Sequence, residues 1–184
     1  MAARAGGARR TRSSANSAGI WSAALAPRKL GERRYWLVKS EPGAFSFDDL
    51  LGAPRKTTAW DGVRNFTARN FLRDGMKRGD RVFFYHSNAN PPAIVGICEV
   101  VRDGYPDDTA FDARHGHYDP GSKRDAPTWF MVDLRAVEPL ARPVSLEEIK
   151  SKPPLADMAL LRMGRLSVSP VTEQEWATIC AMAV

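Results

Sequence analysis

Two β-rich runs, RVFFYH at 81–86 and AIVGICEVV at 93–101, stand six residues apart, joined by the polar loop SNANPP. A loop of that length closes a hairpin and is too short for the helical crossover that parallel neighbours need. An antiparallel ladder is therefore the centre around which the other strands must arrange themselves. YWLVK, beginning at Tyr35, is one further strand, ended by a Ser-Glu-Pro-Gly turn in which Pro42 cannot donate to a ladder. TWFMVDLRAV at 128–137 alternates well enough for another, and LSV at 166–168 is a brief last one.

Short helices are expected between and after these strands. Ser46 caps FDDLL, with Asp48 and Asp49 in its first turn and Gly52 and Pro54 stopping it. Asn65 caps FTARNFLRDGM, where Phe66, Phe71 and Leu72 supply a partly apolar face. Ser145 with Glu148 and Thr172 with Glu175 spell capping boxes ahead of LEEIK and EWATIC, and another helix is expected near 157–163. There is no internal repeat and no βαβ alternation. The fold class is thus mainly β with α: a mixed sheet of about five to six strands that curls into a small barrel under short covering helices.

Charge divides unevenly. The formal net charge of +6 suggests a polyanionic partner, but residues 1–34 hold eight Lys or Arg and one acid, which leaves nineteen bases against twenty acids in residues 35–184. Within that nearly neutral body, residues 55–81 gather Arg55, Lys56, Arg64, Arg69, Arg73, Lys77, Arg78 and Arg81 against Asp61, Asp74 and Asp80. A solvated helix face is the plainer reading of such a patch, and phosphate contact the sharper one. Residues 1–34, rich in Ala, Gly, Arg and Ser, show neither strand alternation nor helical period and are expected to be a disordered basic extension to a domain at 35–184. Their composition suits an organelle transit peptide, or equally an upstream extension of a bacterial protein, the reading preferred here. No run approaches the roughly 20 apolar residues of a membrane span. Cys98 and Cys180, far apart and among apolar neighbours, fit a reducing compartment.

The densest group of unusual side chains is WDGVRN at 60–65. KSEP at 39–42 puts a cation, a hydroxyl and a carboxylate at one strand end, and FYHS at 84–87 does much the same at another. Together they outline a pocket for a base: Trp60 as a stacking wall, Ser40, Asp61 or Asn65 as partners for a base edge, and Arg64 near a phosphate. Each has a plainer role beside it. Trp60 is ordinary core, Asp61 closes its own Asp-Gly turn and Asn65 caps a helix. Glu41 either accepts from a base amino group or neutralises Lys39. His86 on an apolar strand reads as a rim histidine before a general base, and no GxSxG elbow exists for a hydrolase. Asp112, His115, His117 and Asp119 suit a divalent metal chemically, but HxH in a loop is a weak signal and a solvated loop is commoner. GxGxxG, P-loop and CxxC patterns are absent, so no nucleotide cofactor or structural zinc has an anchor.

In order along the chain, YWLVKSEP, TTAWDGVRN, ARNFLR, GDRVFFYHS, AIVGICEVV, YPDDTAFD, HYDPGSK, PTWFMVDL, RPVSLEEIK and RLSVSPVTEQEW resemble the EVE-domain family over about residues 35–180. The resemblance implies a PUA-like β-pseudobarrel related to YTH and ASCH domains, and a non-catalytic reader of modified bases, notably modified cytosine in DNA. By motif it implies Ser40, Glu41, Trp60, Asp61, Arg64, Asn65, Tyr85, His86 and Ser87 at a base pocket. Separately, Lys39, Arg55, Lys56 and Arg69 are the candidate phosphate patch. The expected partner is nucleic acid, modified DNA first and RNA as the alternative, with a protein-interaction scaffold bearing a vestigial pocket as a further reading and a metal-assisted nuclease or hydrolase using His115, His117 and Asp119 as the last. No cofactor, metal or membrane partner is expected, and the chain is taken as a monomer. The expected location is the bacterial cytoplasm, or the nucleus or mitochondrion of a eukaryote.

Overall fold

The computed structural model describes Gly19 and residues 22–184. Its framework is a six-stranded mixed sheet in the order β2-β5-β4-β3-β1-β6. The strands are β1 (Tyr35–Ser40), β2 (Thr57–Ala59), β3 (Arg81–His86), β4 (Ala93–Pro106), β5 (Phe130–Ser145) and β6 (Val168–Val171). The hairpin expected from the six-residue spacing is present, with β3 antiparallel to β4 from Arg81 opposite Glu99 to His86 opposite Ala93. β1 joins β3 in parallel, which sets Lys39 beside Tyr85 and Ser40 beside His86. β4 and β5 run on together well past their apolar runs, bending through four register shifts. β2 was not expected from sequence, because TTA is too short to alternate; it exists as an edge strand through its pairing with Thr57–Ala59 opposite Arg135–Asp133.

Both faces of this sheet are covered, which explains why VFFY in β3 is a continuous apolar run rather than an alternating one. Trp36, Val82, Phe84 and Leu134 face one core with Phe47, Leu50, Trp60, Phe71 and Leu72. Leu37, Phe83, Tyr85 and Ile94 face a second with Ile149, Leu155, Leu160 and Ile179. The helices are α1 (Phe47–Gly52), α2 (Phe66–Asn70, continuing as a π turn through Phe71–Gly75), α3 (Leu146–Ser151), α4 (Ala159–Arg162) and α5 (Glu173–Met182). Capping boxes close at Ser46/Asp49, Ser145/Glu148 and Thr172/Glu175, and Asn65 accepts from the Ala68 amide at 3.0 Å. The helix expected near 157–163 is shorter, α4 at Ala159–Arg162, preceded by a 3-10 turn at Pro153–Leu155.

Residues 1–18, 20 and 21 of the expected extension lie outside the described residues. Residues 22–34 are packed on the body, a difference from the expected disorder. The reason is an ion pair that composition could not reveal. Asp80 is 1% exposed and accepts from Trp36 Nε1 at 2.8 Å, from the Lys77 and Arg34 amides at 3.0 Å, and from both Arg28 guanidinium nitrogens. A carboxylate so buried requires charge compensation, and Arg28 supplies it while also donating to the Gly75 carbonyl at 2.7 Å.

Candidate nucleic-acid interface

The expected site residues divide between two neighbouring groups on one side of the sheet and a remainder elsewhere. The first group is built at the ends of β1 and β3. Their parallel register sets Ser40 next to His86, and Ser87 extends the ladder by donating its amide to the Ser40 carbonyl at 2.9 Å. Ser40 Oγ donates to the Phe45 carbonyl at 2.6 Å, and Glu41 accepts from Asn88 Nδ2 at 2.7 Å, so the KSEP turn is held from both sides. His86 Nε2 accepts the Phe47 amide at 3.1 Å, at the first turn of α1. That bond requires the neutral ring with its proton on Nδ1. Burial lowers the His86 pKa, with Asp48 pulling weakly the other way.

A chain of edge-on aromatics links this group to the second. The His86 ring meets Phe84 at 5.6 Å, Phe84 meets Trp60 at 5.5 Å, and Phe47 closes on Phe84 at 5.4 Å. Gly96 lies directly under Phe47, where a Cβ would stand 2.3 Å from the ring. Trp60 is only 8% exposed, so most of its ring belongs to the core, as the plainer reading had it, and one margin remains open.

The second group is the Asp61-Gly62-Val63-Arg64 turn together with the excursion that follows β4. Asp107, fully buried, accepts from the Gly62 amide at 3.0 Å, the Thr109 amide at 2.9 Å, Thr109 Oγ1 at 2.6 Å and Arg64 Nη1 at 2.7 Å. Burial alone would raise this carboxyl; the bonds from Arg64, Thr109 and Gly62 outweigh it and hold the pKa below the usual value. Arg64 also donates to the His117 carbonyl and to Thr109 Oγ1, and its guanidinium lies 5.3 Å from the Trp129 ring. Its donors are therefore largely taken up by protein, where sequence had placed it near a phosphate. Gly62 sits at φ +71, a backbone conformation that strains an L side chain, and a Cβ there would have to displace the exposed His117 ring 2.2 Å away. Asp61 is exposed beside this cluster, and burial and the Asp107 charge raise its pKa against the pull of His117, His115 and Arg64. The Asp61 carboxylate can accept from a base amino group.

The excursion is a closed loop: the Asp107 amide donates to the Trp129 carbonyl at 2.9 Å, and Trp129 Nε1 donates to Asp119 at 2.6 Å. Asp119, one of the residues weighed as a metal ligand, is thereby committed to holding the loop. His115 and His117 face each other at 5.2 Å, but among the described residues no group of three or more His, Cys, Asp or Glu could hold a metal.

Not every expected residue joins these groups. Tyr85 is 4% exposed in the opposite core, and Lys39 follows it there, donating to the Gly164 carbonyl at 2.9 Å with its ammonium 6.0 Å from the Tyr85 ring. Period-2 alternation sends these two away from Ser40 and His86. Arg55 and Lys56 are exposed at positive φ ahead of β2, four strands from β1 in the sheet order. Arg69 is bound to the Thr128 carbonyl at 2.6 Å and to Asn70 at 2.9 Å. Lys39, Arg55, Lys56 and Arg69 thus stand on three separate parts of the surface. Sequence reasoning did not place Asp107, Thr109 or Trp129 at the site, although residues 102–127 are too long and polar for a plain turn and all three lie in the motifs YPDDTAFD and PTWFMVDL.

Residues 34–182 match the EVE domain, which is nearly all of the described chain. The chain belongs to the EVE-domain family. Relatives in that family include thymocyte nuclear protein 1 of mouse, 45% identical over 165 residues that make up 80% of this chain and 73% of the relative, and of human, 43% identical at the same coverage. Among solved structures, a hypothetical protein from Leishmania major superposes with a TM-score of 0.79 at 44% identity, covering 84% of this chain and 97% of that one. Human THYN1 in complex with 5-methylcytosine-containing DNA superposes with a TM-score of 0.78 at 43% identity, covering 82% and 97%. The PUA-like fold expected for an EVE domain is the fold observed. Among the described residues no helix is long and apolar enough to cross a membrane.

Proposed function

We propose that this EVE domain is a non-catalytic reader that takes one flipped, modified cytosine of DNA against the rim formed by Ser40, His86, the open margin of Trp60, and Asp61. The observation that carries this reading is the close likeness, across nearly the whole domain, to a human relative solved with 5-methylcytosine-containing DNA. The side chains suit the task. The Nδ1–H of a neutral His86 can donate to a base edge, and the Ser40 oxygen and the Asp61 carboxylate can accept from it, beside the Trp60 ring. Flipping costs a few kcal/mol, which stacking of about 1–3 kcal/mol together with edge hydrogen bonds can offset. A methyl group adds only about 1 kcal/mol, so preference over plain cytosine should be about fivefold to tenfold.

The test is fluorescence anisotropy with the full chain and a panel of duplexes, unmodified, methylcytosine, hydroxymethylcytosine and methyladenine, each also as RNA, read across salt concentrations. Tighter binding of one modified cytosine duplex, lost in Asp61→Ala, supports the reader. Asp61 is exposed, so this variant keeps its fold, whereas Trp60→Ala would empty the core. Equal affinity for every duplex would overturn the reading, and a preference for RNA would redirect it.

A further inference from the structure

Phe66 stands at the first position of α2, immediately after the Asp61–Asn65 turn, and is 60% exposed. Sequence patterning had assigned it to the apolar face with Phe71 and Leu72, both of which are fully buried. Single exposed apolar residues are common on protein surfaces. Phe66 differs in being held. Its ring lies 5.0 Å from Trp129 at a 33° tilt, and the Arg69 guanidinium lies 5.1 Å from its centre. Trp129 is in turn fixed by Asp119, and Arg69 by the Thr128 carbonyl and Asn70. The ring is thus both exposed and ordered, so inserting it between other planar groups costs little further side-chain entropy. One helical turn beyond Arg69, Arg73 lies 5.7 Å from the Phe130 ring and pairs with the exposed Asp74.

We propose that Phe66 is the side chain that enters the base stack of duplex DNA at the position vacated by the flipped base, while Arg69 and Arg73 meet the flanking phosphates. The proposal rests on the base-reader reading above. A duplex that loses one base from its stack exposes two base faces, and an apolar ring of similar thickness restores the contact. Charge favours the same occupant: residues 64–74 carry Arg64, Arg69 and Arg73 against Asp74, a net of +2, and although Arg64 is held by Asp107, the exposed Arg73–Asp74 pair can open to a phosphate. Along the chain, Phe66 follows Asp61 of the candidate pocket after the four residues Gly62-Val63-Arg64-Asn65.

The experiment compares parent, Phe66→Ala and Phe66→Trp on a methylcytosine duplex carrying 2-aminopurine beside the methylated base, and on the same strand alone. The parent should raise 2-aminopurine fluorescence on the duplex as the neighbouring stack opens. Phe66→Ala should weaken duplex binding about tenfold, the worth of one stacking contact, and suppress the fluorescence rise. Single-strand binding should change less than twofold, because a single strand has no gap to fill. Phe66→Trp should restore the duplex values. Equal losses on duplex and single strand, or a fluorescence rise retained by Phe66→Ala, would overturn the wedge while leaving the reader intact. A parent that shows neither methyl preference nor a fluorescence rise would sink both.

Discussion

Replacing Arg64 with alanine would strip the buried Asp107 carboxylate of its only cationic partner among the described residues and release the loop that carries His117. Asp107 would keep three neutral donors, from Gly62 and Thr109, so the loss is smaller than for a carboxylate left bare. Breaking a fully buried pair costs about 3–5 kcal/mol, but the Arg64 side chain is 23% exposed and water can enter in its place, which brings the expectation to about 2–3 kcal/mol. For a domain of this size that is a fall of Tm on the order of 4–12 °C. The sign of the pH dependence follows from the Asp107 carboxyl. In the parent its pKa is depressed below the unfolded value, so its contribution is present above that value and is lost as pH falls through the folded pKa. Without Arg64, burial would raise the same pKa above the unfolded value, making the ionised group a liability at neutral pH. The gap between parent and variant should therefore be widest near pH 7 and should narrow on acidification towards about pH 4, near the unfolded carboxyl pKa. Thermal melts of both proteins at several pH values measure it. A Tm within 1 °C of the parent at pH 7, or a gap that does not change with pH, would refute the electrostatic account.

Two further outcomes are expected. Gly62→Ala forces a side chain onto a φ of +71 and into the His117 ring, so it should cost more than about 1 kcal/mol and increase limited proteolysis between residues 112 and 118; a variant with parental stability and cleavage would refute that packing. Because burial lowers the His86 pKa below its unfolded value of about 6.5, its stabilisation should be complete above that pH and decline as pH falls through the folded pKa, an acid-side loss that His86→Gln should not show in denaturant melts at pH 7.5 and 5.5.

Much of the scaffold was legible in the residues themselves. The 81–86 and 93–101 hairpin followed from loop length, four capping positions followed from local side-chain chemistry at Ser46, Asn65, Ser145 and Thr172, and the motifs from YWLVKSEP to RLSVSPVTEQEW placed the chain in its family. These are interactions between residues close in sequence, where spacing alone sets the geometry. The face on which a side chain emerges was decided elsewhere. Tyr85 and His86 are adjacent in the motif FYHS, yet pleating and the parallel pairing of β1 with β3 put them in different environments. Arg64, Asp107 and His117 lie more than forty residues apart at their extremes, and nothing local to any of them announces the others. The same holds for Arg28 and Asp80, which bind residues 22–34 to the body despite a composition that argues for disorder. Phe66 is the reverse case: helical spacing assigns it to the core, and only the position of Trp129 beneath it keeps the ring at the surface. Sequence determined which elements form and what chemistry is available; the tertiary structure decided which groups satisfy one another and which remain free to meet a ligand, because burial and pairing are properties of contacts between distant segments.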